Sequence, residues 1–420
     1  MEIAIPEPWL VDDPIGIVVS GCAPGREVTL TATACFDGCA RTASATFLAD
    51  RGGVVDPAGH AAVAGSYTGI DPFGLWWSAD PDVPAPDAPA PPAPIPSRLR
   101  IETGGETVSV EFERHWLSGG ATVSAVQAPG LTGVFARPAG TGPFPGVVAF
   151  GGSGGGLGPS LGWAALLASH GFATLAIAYF GGPGLPSALV EIEIEVVERA
   201  ARWLLDRGDV AAAGVAVVGM SRGSELALWS GVLLDTVNAV VAFSPSGIGW
   251  SGLNASGPVD GPAWTFRGEP IPYAPIGDAA RARFDMPPSN APLALRGAFD
   301  AVLAHPSAYQ QAVIPVERIG GPVLCVSGEA DAMWPATEMT EVAVQRARQH
   351  GFPHAVTHLR YPDAGHTGAG VPGVPVATEV PRHPLTGAAY SFGGSRSASA
   401  RARADSWPRV LTFLRDAATT

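Results

Sequence analysis

Hydrophobic and polar residues alternate along the first 80 residues in the manner of short β-strands. Apolar side chains occupy every second position of 28–36 and again of 43–49, on the two sides of an Asp37-Gly38 pair. A period of two on both sides of an Asp-Gly turn predicts a β-hairpin. Because further short stretches lie between Gly and Pro turns, the pattern predicts a β-sandwich over residues 1–80.

Proline dominates the segment that follows. Residues 81–96 read PDVPAPDAPAPPAPIP and contain eight prolines. Proline fixes φ and lacks a backbone N–H, so such a run favours extended polyproline II. It predicts a stiff linker over 81–97. Two more strands are expected near 107–112 and 121–127. If they belong to the N-terminal domain, that domain extends to about 127.

From residue 128 to the end, short apolar runs alternate with helical stretches. GVVAF, FATLAIAYF, GVAVVG, AVVAFSP and PVLCVSG are separated by longer amphipathic or apolar segments. Buried strands that alternate with helices predict a parallel sheet in an α/β domain over 128–420. Residues 245–318 break this rhythm and are rich in Gly, Pro and Trp, which predicts an inserted cap.

Composition narrows the class of protein. The 420 residues carry a net charge of −13, and all 25 basic residues are Arg. An acidic chain lacks the basic face that a nucleic-acid binder needs, and a chain without Lys excludes Schiff-base and P-loop lysine chemistry. With 46% apolar and 15% charged residues, the chain is too hydrophobic to be disordered.

Targeting and metal-site patterns are absent from the sequence. No apolar run reaches the length of a membrane span, and the N-terminus does not resemble a signal peptide, so a cytoplasmic protein is expected. Four cysteines (Cys22, Cys35, Cys39 and Cys325) are too few for a disulfide framework, although a hairpin disulfide between Cys35 and Cys39 stays open. No zinc-type spacing is present, and neither a metal nor a cofactor is expected.

The strongest chemical signal is the pentapeptide 219–223, Gly-Met-Ser-Arg-Gly. It follows the apolar run AGVAVVG and opens the helical segment SELALWSGVLL. A G-x-S-x-G between a strand and a helix is typical of a nucleophile elbow, where only glycine fits the sharp turn. Ser221 is therefore the predicted nucleophile, the alternative being a simple helix N-cap.

A serine nucleophile needs a base and a group that orients the base. Asp331 follows the predicted strand PVLCVSG, and His366 follows the strand HAVTHLRY, so both are expected on the edge of the sheet where Ser221 lies. Glu329 and Asp363 are competing acids. His60, His170, His305 and His383 are expected to be surface-loop histidines.

A glycine-rich loop over 150–156 follows the strand GVVAF. Its spacing fits neither a dinucleotide fingerprint nor a P-loop. In an α/β-hydrolase this loop supplies one oxyanion-hole N–H, and the residue after the nucleophile supplies another. The predicted donors are Arg222 together with Gly152 or Ser153; a plain glycine-rich turn is the alternative.

The motifs of this chain resemble those of the acyl-CoA thioesterase / bile acid-CoA:amino acid N-acyltransferase family. The resemblance is to a bacterial-type member of that family. The resemblance lies in DDPIGIVVSGCAPGREVTL, GSYTGIDPFGLWWSADP, GPFPGVVAFGGSGGGL, VVGMSRGSELAL and YPDAGH, in that order. It implies an N-terminal immunoglobulin-like β-sandwich joined to an α/β-hydrolase domain. By motif, it places the nucleophile on Ser221, the acid on Asp331 and the base on His366.

The resemblance implies a serine-dependent acyl thioesterase acting on a small-molecule acyl-CoA or a carrier-bound acyl thioester. Serine at the nucleophile position favours hydrolysis, since the amino-acid N-acyltransferases of the family carry Cys there. The alternatives are an acyltransferase or cyclising thioesterase with the same triad, and a non-catalytic binding protein. The oligomeric state is left open.

Two groups of residues are candidates for substrate binding. Trp250, Trp264 and Phe266 in the predicted cap would line an acyl pocket, and packing within the cap explains them equally well. Arg396, Arg401 and Arg403 precede the last helix and would meet CoA phosphates, with a solvated helix face as the alternative.

Overall fold

A computed structural model describes residues 1–5, 9–36, 39–84, 90–277, 282, 291–380 and 382–419. The chain divides into two compact units. The first unit contains residues 1–119 and 371–376, and the second contains 120–370 and 377–420. The fold is an α/β-hydrolase domain preceded by an N-terminal β-sandwich domain.

The first unit is built on antiparallel strands. Its larger sheet has the order β5-β4-β3-β7-β8, with β6 paired to β4, and β1 pairs with β2. Alternate residues of β3 and β4 are buried, as the period of two predicts. The elements are β1 (Glu2–Ala4), β2 (Val18–Ser20), β3 (Glu27–Phe36), β4 (Cys39–Leu48), β5 (Ala64–Gly65), α1 (Gly74–Trp77), β6 (Asp80–Pro84), β7 (Ile95–Thr103) and β8 (Glu106–Arg114).

The predicted hairpin between β3 and β4 is confirmed by the strand register. Phe36 lies opposite Cys39, so the strands run up to the Asp37-Gly38 pair, which itself lies outside the described residues. Both cysteines beside the turn are free.

The segment predicted as a stiff linker is strand at both of its ends. Residues 80–84 form β6 against β4, and β7 begins at Ile95 and pairs with β3 and β8. Pro96 is tolerated because it is only the second residue of its strand. Alternate residues of β7 from Ile95 to Ile101 are buried. Residues 85–89 lie outside the described part of the chain.

The second unit contains an eight-stranded sheet of order β21-β20-β15-β14-β11-β12-β10-β9. The strands from β12 to β21 in this order are parallel, and β10 runs antiparallel to its two neighbours. The strands are β9 (Thr122–Ala128), β10 (Leu131–Arg137), β11 (Phe144–Phe150), β12 (Ala173–Ala178), β14 (Val210–Met220), β15 (Val237–Phe243), β20 (Val323–Gly328) and β21 (Val356–Tyr361).

Helices pack against the sheet because its central strands are mostly apolar; every residue of β12 and β20 is buried. Helix α3 is strongly amphipathic, with Val197, Ala201 and Leu204 among its buried residues and Glu195 and Glu198 in its first turn. The helices are α2 (Ser160–Ser169), α3 (Glu195–Leu205), α4 (Arg222–Leu233), α6 (Ala336–Gln349) and α7 (Arg396–Ala417).

The predicted cap corresponds to the irregular chain between β15 and β20. It contains β16 (Ser251–Asn254), β17 (Gly257–Pro262), β18 (Trp264–Phe266), β19 (Glu269–Pro270), helix α5 (Arg296–Leu303) and three short 3₁₀ turns. Strand β18 also pairs with β13 (Ile192–Glu193). Residues 278–281 and 283–290 of this stretch are outside the described residues. No helix among the described residues is both long and apolar enough to cross a membrane.

Candidate active site

Ser221 lies at the sharp turn between β14 and α4. Its backbone is strained, with φ +56° and ψ −124°, a conformation that a non-glycine residue seldom adopts. A Cβ on Gly219 would lie 2.2 Å from the Gly223 carbonyl oxygen, and one on Gly223 would lie 2.1 Å from the Gly151 carbonyl oxygen. The close backbone approach therefore explains why the pentapeptide has glycine at both ends.

Asp331 and His366 form a buried pair on the loops after β20 and β21. Asp331 Oδ2 lies 2.7 Å from His366 Nδ1, and the two residues are 1% and 4% exposed. Asp331 Oδ1 accepts the N–H groups of Met333 (2.8 Å) and Trp334 (3.2 Å). A carboxylate oxygen accepts hydrogen bonds, so the proton of the neutral His366 ring is assigned to Nδ1, which leaves Nε2 as an acceptor.

The end of β15 holds these loops together. The Ser221 N–H donates to the Phe243 carbonyl (2.9 Å), and the Ser244 hydroxyl donates to the His366 carbonyl (2.6 Å). The Trp334 indole N–H donates to the Ser244 carbonyl (3.1 Å). The nucleophile candidate, the base and the acid loop are thus all anchored to residues 243–244.

Neither competing acid is built into this arrangement. Glu329 is exposed and pairs with Arg360 at 2.9 Å. Asp363 is also exposed, in a left-handed backbone conformation with φ +58°. Burial and hydrogen bonding both favour Asp331.

The glycine-rich loop lies beside the elbow. A Cβ on Gly152 would be 3.0 Å from the Ser221 Cβ and 3.6 Å from its Oγ. The Tyr179 hydroxyl donates to the carbonyls of Gly151 (2.9 Å) and Gly152 (3.1 Å), which fixes the loop from below. Within the described residues, the N–H groups of Gly152, Ser153 and Arg222 have no backbone acceptor. They can therefore serve as the predicted oxyanion donors.

A buried ion pair connects the start of α4 to the cap. Arg222 Nε lies 3.0 Å from Glu225 Oε1, and the Arg222 guanidinium donates to the Trp250 carbonyl (3.0 Å). Glu225 Oε2 accepts the Trp250 backbone N–H and the Trp264 indole N–H, both at 3.1 Å. Burial raises the pKa of Glu225 to about 7, although Arg222 opposes this shift. Both residues stand in the sequence Ser-Arg-Gly-Ser-Glu at 221–225, but nothing in the sequence indicates that they pair or contact the cap.

Ser221 opens into a mostly apolar pocket with about 590 Å³ of empty space, part of it open to solvent. The pocket draws its walls from the glycine-rich loop, the elbow, the cap and the segment before α7. It is lined by Ser153, Ser221, Arg222, Ser251, Leu253, Pro258, Ile276, Leu295, Ala298, Phe299, Met333, Trp334, His383 and Tyr390. Such a cavity suits an apolar group attached to a reacting polar centre.

The prediction that Trp250, Trp264 and Phe266 line this pocket is wrong. Trp250 and Trp264 are fully buried, and their indole N–H groups are bonded to Ser246 and Glu225. Phe266 packs against the main core instead. The smaller residues Ser251 and Leu253 line the cavity instead, and Trp250 packs edge-on against the lining residue Phe299.

The three arginines near the last helix do not line the pocket. Arg403 donates its Nε–H to the Thr367 carbonyl (2.7 Å) and so stabilises the loop after His366. Burial lowers the pKa of Arg403 to about 10. Arg401 is exposed, and Arg396 is partly buried at the helix start. A phosphate-binding role of Arg396 and Arg401 stays a prediction.

His383 is the site residue that the sequence interpretation missed. It was expected on the surface, but it is 7% exposed and lines the pocket, with Nε2 3.1 Å from Ser153 Oγ. The tail that carries it has no regular hydrophobic pattern, so its burial could not be predicted. Among the described residues, no group of three His, Cys, Asp or Glu side chains could hold a metal ion.

Comparison with known proteins matches this architecture along nearly the whole chain. Residues 12–128 match the family model described as the acyl-CoA thioester hydrolase/BAAT N-terminal region, and residues 192–419 match the BAAT / acyl-CoA thioester hydrolase C-terminal model. A solved dienelactone hydrolase-like promiscuous phosphotriesterase from metagenomic libraries is 19% identical, covering 71% of this chain and 99% of that chain with a TM-score of 0.42.

Two relatives show the extent of the similarity. The mouse peroxisomal succinyl-coenzyme A thioesterase is 30% identical over 416 residues, covering 96% of this chain and 93% of the relative. The human mitochondrial acyl-coenzyme A thioesterase 2 is 31% identical over 412 residues, covering 96% and 81% respectively. The chain therefore belongs to the acyl-CoA thioester hydrolase/BAAT family of enzymes.

Proposed function

We propose that this enzyme hydrolyses an acyl-CoA thioester through an acyl-Ser221 intermediate. One observation carries the proposal: a serine in a strained elbow opens into an apolar pocket, while the buried Asp331–His366 pair is anchored to the same strand end. The family membership and the thioesterase relatives support the thioester as the reacting bond.

In the first half-reaction, Ser221 Oγ attacks the thioester carbonyl carbon and His366 Nε2 takes the hydroxyl proton. Asp331 holds the imidazolium by accepting its Nδ1–H. The N–H groups of Arg222 and of Gly152 or Ser153 stabilise the oxyanion, each donor contributing about 3–4 kcal/mol at the transition state. The C–S bond breaks, and the thiol leaves with the proton from His366.

In the second half-reaction, His366 removes a proton from water, whose oxygen attacks the acyl-Ser221 ester. The carboxylic acid leaves and Ser221 recovers its proton from His366. The chemistry uses side chains, backbone N–H groups and water. A cytoplasmic location and the carrier of the acyl group stay predictions.

Mass spectrometry after rapid quenching with an acyl-CoA panel tests the mechanism. The expected result is an acyl adduct on the peptide that contains Ser221, and loss of turnover by a factor of about 10⁴–10⁶ in Ser221→Ala. Full turnover in Ser221→Ala would refute the assignment. Product analysis with added glycine, taurine or alcohols separates hydrolysis from acyl transfer, because preferential amide or ester formation would identify an acyltransferase.

A further inference from the structure

A second histidine, His383, lines the pocket of the candidate site. His383 and Ser153 both line the pocket that Ser221 enters, and His383 Nε2 lies 3.1 Å from Ser153 Oγ. Neither the proposed triad nor the backbone oxyanion donors use these two side chains. The contact between His383 and Ser153 is therefore available for another role in the site.

The His383 ring is held in a fixed place. Its backbone N–H donates to the Ala388 carbonyl and its carbonyl accepts the Gly387 N–H, both at 2.8 Å. The ring packs edge-on against Tyr390, with centroids 5.3 Å apart and planes at 77°. Burial lowers the pKa of His383 to about 4, so the imidazole is neutral at neutral pH.

The hydrogen bonds assign the ring proton. The Thr386 backbone N–H, which can only donate, points at His383 Nδ1 at 3.4 Å. Thr386 Oγ1, which can donate as well as accept, lies 3.5 Å from the same nitrogen. The backbone N–H contact forms only when Nδ1 is unprotonated, so we assign the single proton of the neutral ring to Nε2. Nε2–H consequently donates to Ser153 Oγ. The hydroxyl proton of Ser153 is left to be donated elsewhere.

The position of Ser153 suggests where that proton points. Gly152, the residue before it, is packed so closely on the elbow that an added Cβ would lie 3.6 Å from Ser221 Oγ. The carbonyl oxygen of a thioester attacked by Ser221 must lie close to this loop if Gly152 or Ser153 N–H is to bind it. Ser153 lines the same pocket, and its Oγ lies beside another lining residue, His383.

We propose that the Ser153 hydroxyl donates a hydrogen bond to the carbonyl oxygen of the bound acyl group, and that His383 is a positioning residue that fixes this hydroxyl. The inference rests on the proposed function and deepens it, because it adds a side-chain donor to the oxyanion site. No proton is transferred by Ser153: its hydrogen bond strengthens as negative charge develops on the oxygen and weakens when the carbonyl re-forms.

Steady-state kinetics with one acyl-CoA substrate test the pair through Ser153→Ala, His383→Ala, His383→Gln and the double alanine variant. Ser153→Ala is expected to lower kcat by about 10²-fold with little change in KM, because the donor acts in the transition state. His383→Ala should lower kcat in the same way. His383→Gln should restore most of it, since the glutamine amide N–H replaces Nε2–H. The double variant should be no slower than Ser153→Ala.

A second, partly buried His–Ser pair provides the matched control. His358 Nε2 lies 2.8 Å from Ser327 Oγ, burial lowers the pKa of His358 to about 4, and neither residue lines the pocket. His358→Gln and Ser327→Ala are expected to keep kcat, with thermal unfolding recorded for all variants. A Ser153→Ala enzyme with wild-type kcat, or fully additive effects of the two alanine changes, would overturn the inference. Turnover by Ser221→Ala would instead overturn the proposed function.

Discussion

At the scale of single residues, the site depends on which carboxylate faces the base. Asp331 uses both oxygens, one on His366 Nδ1 and one on two backbone N–H groups, so its geometry is fixed without help from solvent. Glu329, only two positions earlier, is exposed and bonded to Arg360. Two carboxylates only two positions apart in one loop therefore differ in environment: Asp331 is buried, and Glu329 forms a surface ion pair.

This difference gives a residue-scale prediction. Asp331→Asn should lower kcat on the order of 10⁴-fold, because the amide no longer selects the Nδ1–H tautomer that leaves His366 Nε2 free as a base. Glu329→Gln is the matched control and should keep kcat, since its exposed pair contributes little. Steady-state kinetics on an acyl-CoA with both variants provide the measurement. The reverse order of effects would assign the acid to Glu329.

The elbow was predictable because its physical cause is local. The two glycines are required by backbone atoms within a few residues or one strand away, so the pentapeptide and its strand and helix flanks were sufficient to place Ser221. His383 shows the opposite case. Its burial depends on packing against Ser153 and Tyr390, and no periodic pattern in the surrounding tail indicates those contacts.

At the scale of elements, the presence of a parallel sheet could be predicted from the sequence, whereas strand boundaries and pocket walls were harder to predict. Apolar runs that alternate with helices predicted the parallel sheet, and the positions of Asp331 and His366 after strands predicted their shared edge. The start of β7 was hidden because prolines before Ile95 outweighed the alternation that follows. The pocket could not be read from the cap alone, since its walls come from well-separated segments.

Helix α4 is joined to the cap through Glu225, and the charge there has a consequence for stability. Burial raises the pKa of Glu225 from 4.5 to about 7, so the folded protein binds this proton more tightly than the unfolded chain does. The free energy of unfolding contributed by this group must fall as pH rises from about 4.5 to about 7. The Arg222–Glu225 pair thus connects α4 to the cap, and ionisation of Glu225 lowers the free energy of unfolding.

Glu225→Gln tests this at the element scale, because glutamine does not titrate. The free energy of unfolding of the variant minus that of wild type should grow as the pH rises from about 4.5 to about 7 and change little above that range. Urea denaturation across this range gives the difference. Glu341→Gln, in the more exposed pair with Arg348, should show no such trend. A difference that shrinks as pH rises would mean that attraction to Arg222 outweighs burial.

At the scale of the whole molecule, the net charge of the chain opposes binding of the proposed acyl-CoA substrate. The chain carries a net charge of −13, and CoA is itself a polyanion, so the two repel each other at long range. Added salt shortens the screening length from about 30 Å at 0.01 M to about 8 Å at 0.15 M, which removes most of that repulsion. The site residues feel little of this change, because the Asp331–His366 pair is buried.

Ionic strength should therefore act on encounter with the substrate and not on chemistry. We expect kcat/KM for an acyl-CoA to rise a few-fold between 0.01 M and 0.15 M salt, with kcat nearly constant, since screening weakens the repulsion. The matching N-acetylcysteamine thioester, which lacks the phosphates, should show no rise. A fall in kcat/KM with salt for acyl-CoA alone would show that a local cationic site dominates the net charge. If kcat/KM of Arg401→Gln no longer fell with salt, the cationic site would include Arg401, an exposed residue of α7 that the sequence analysis names as a candidate for phosphate binding.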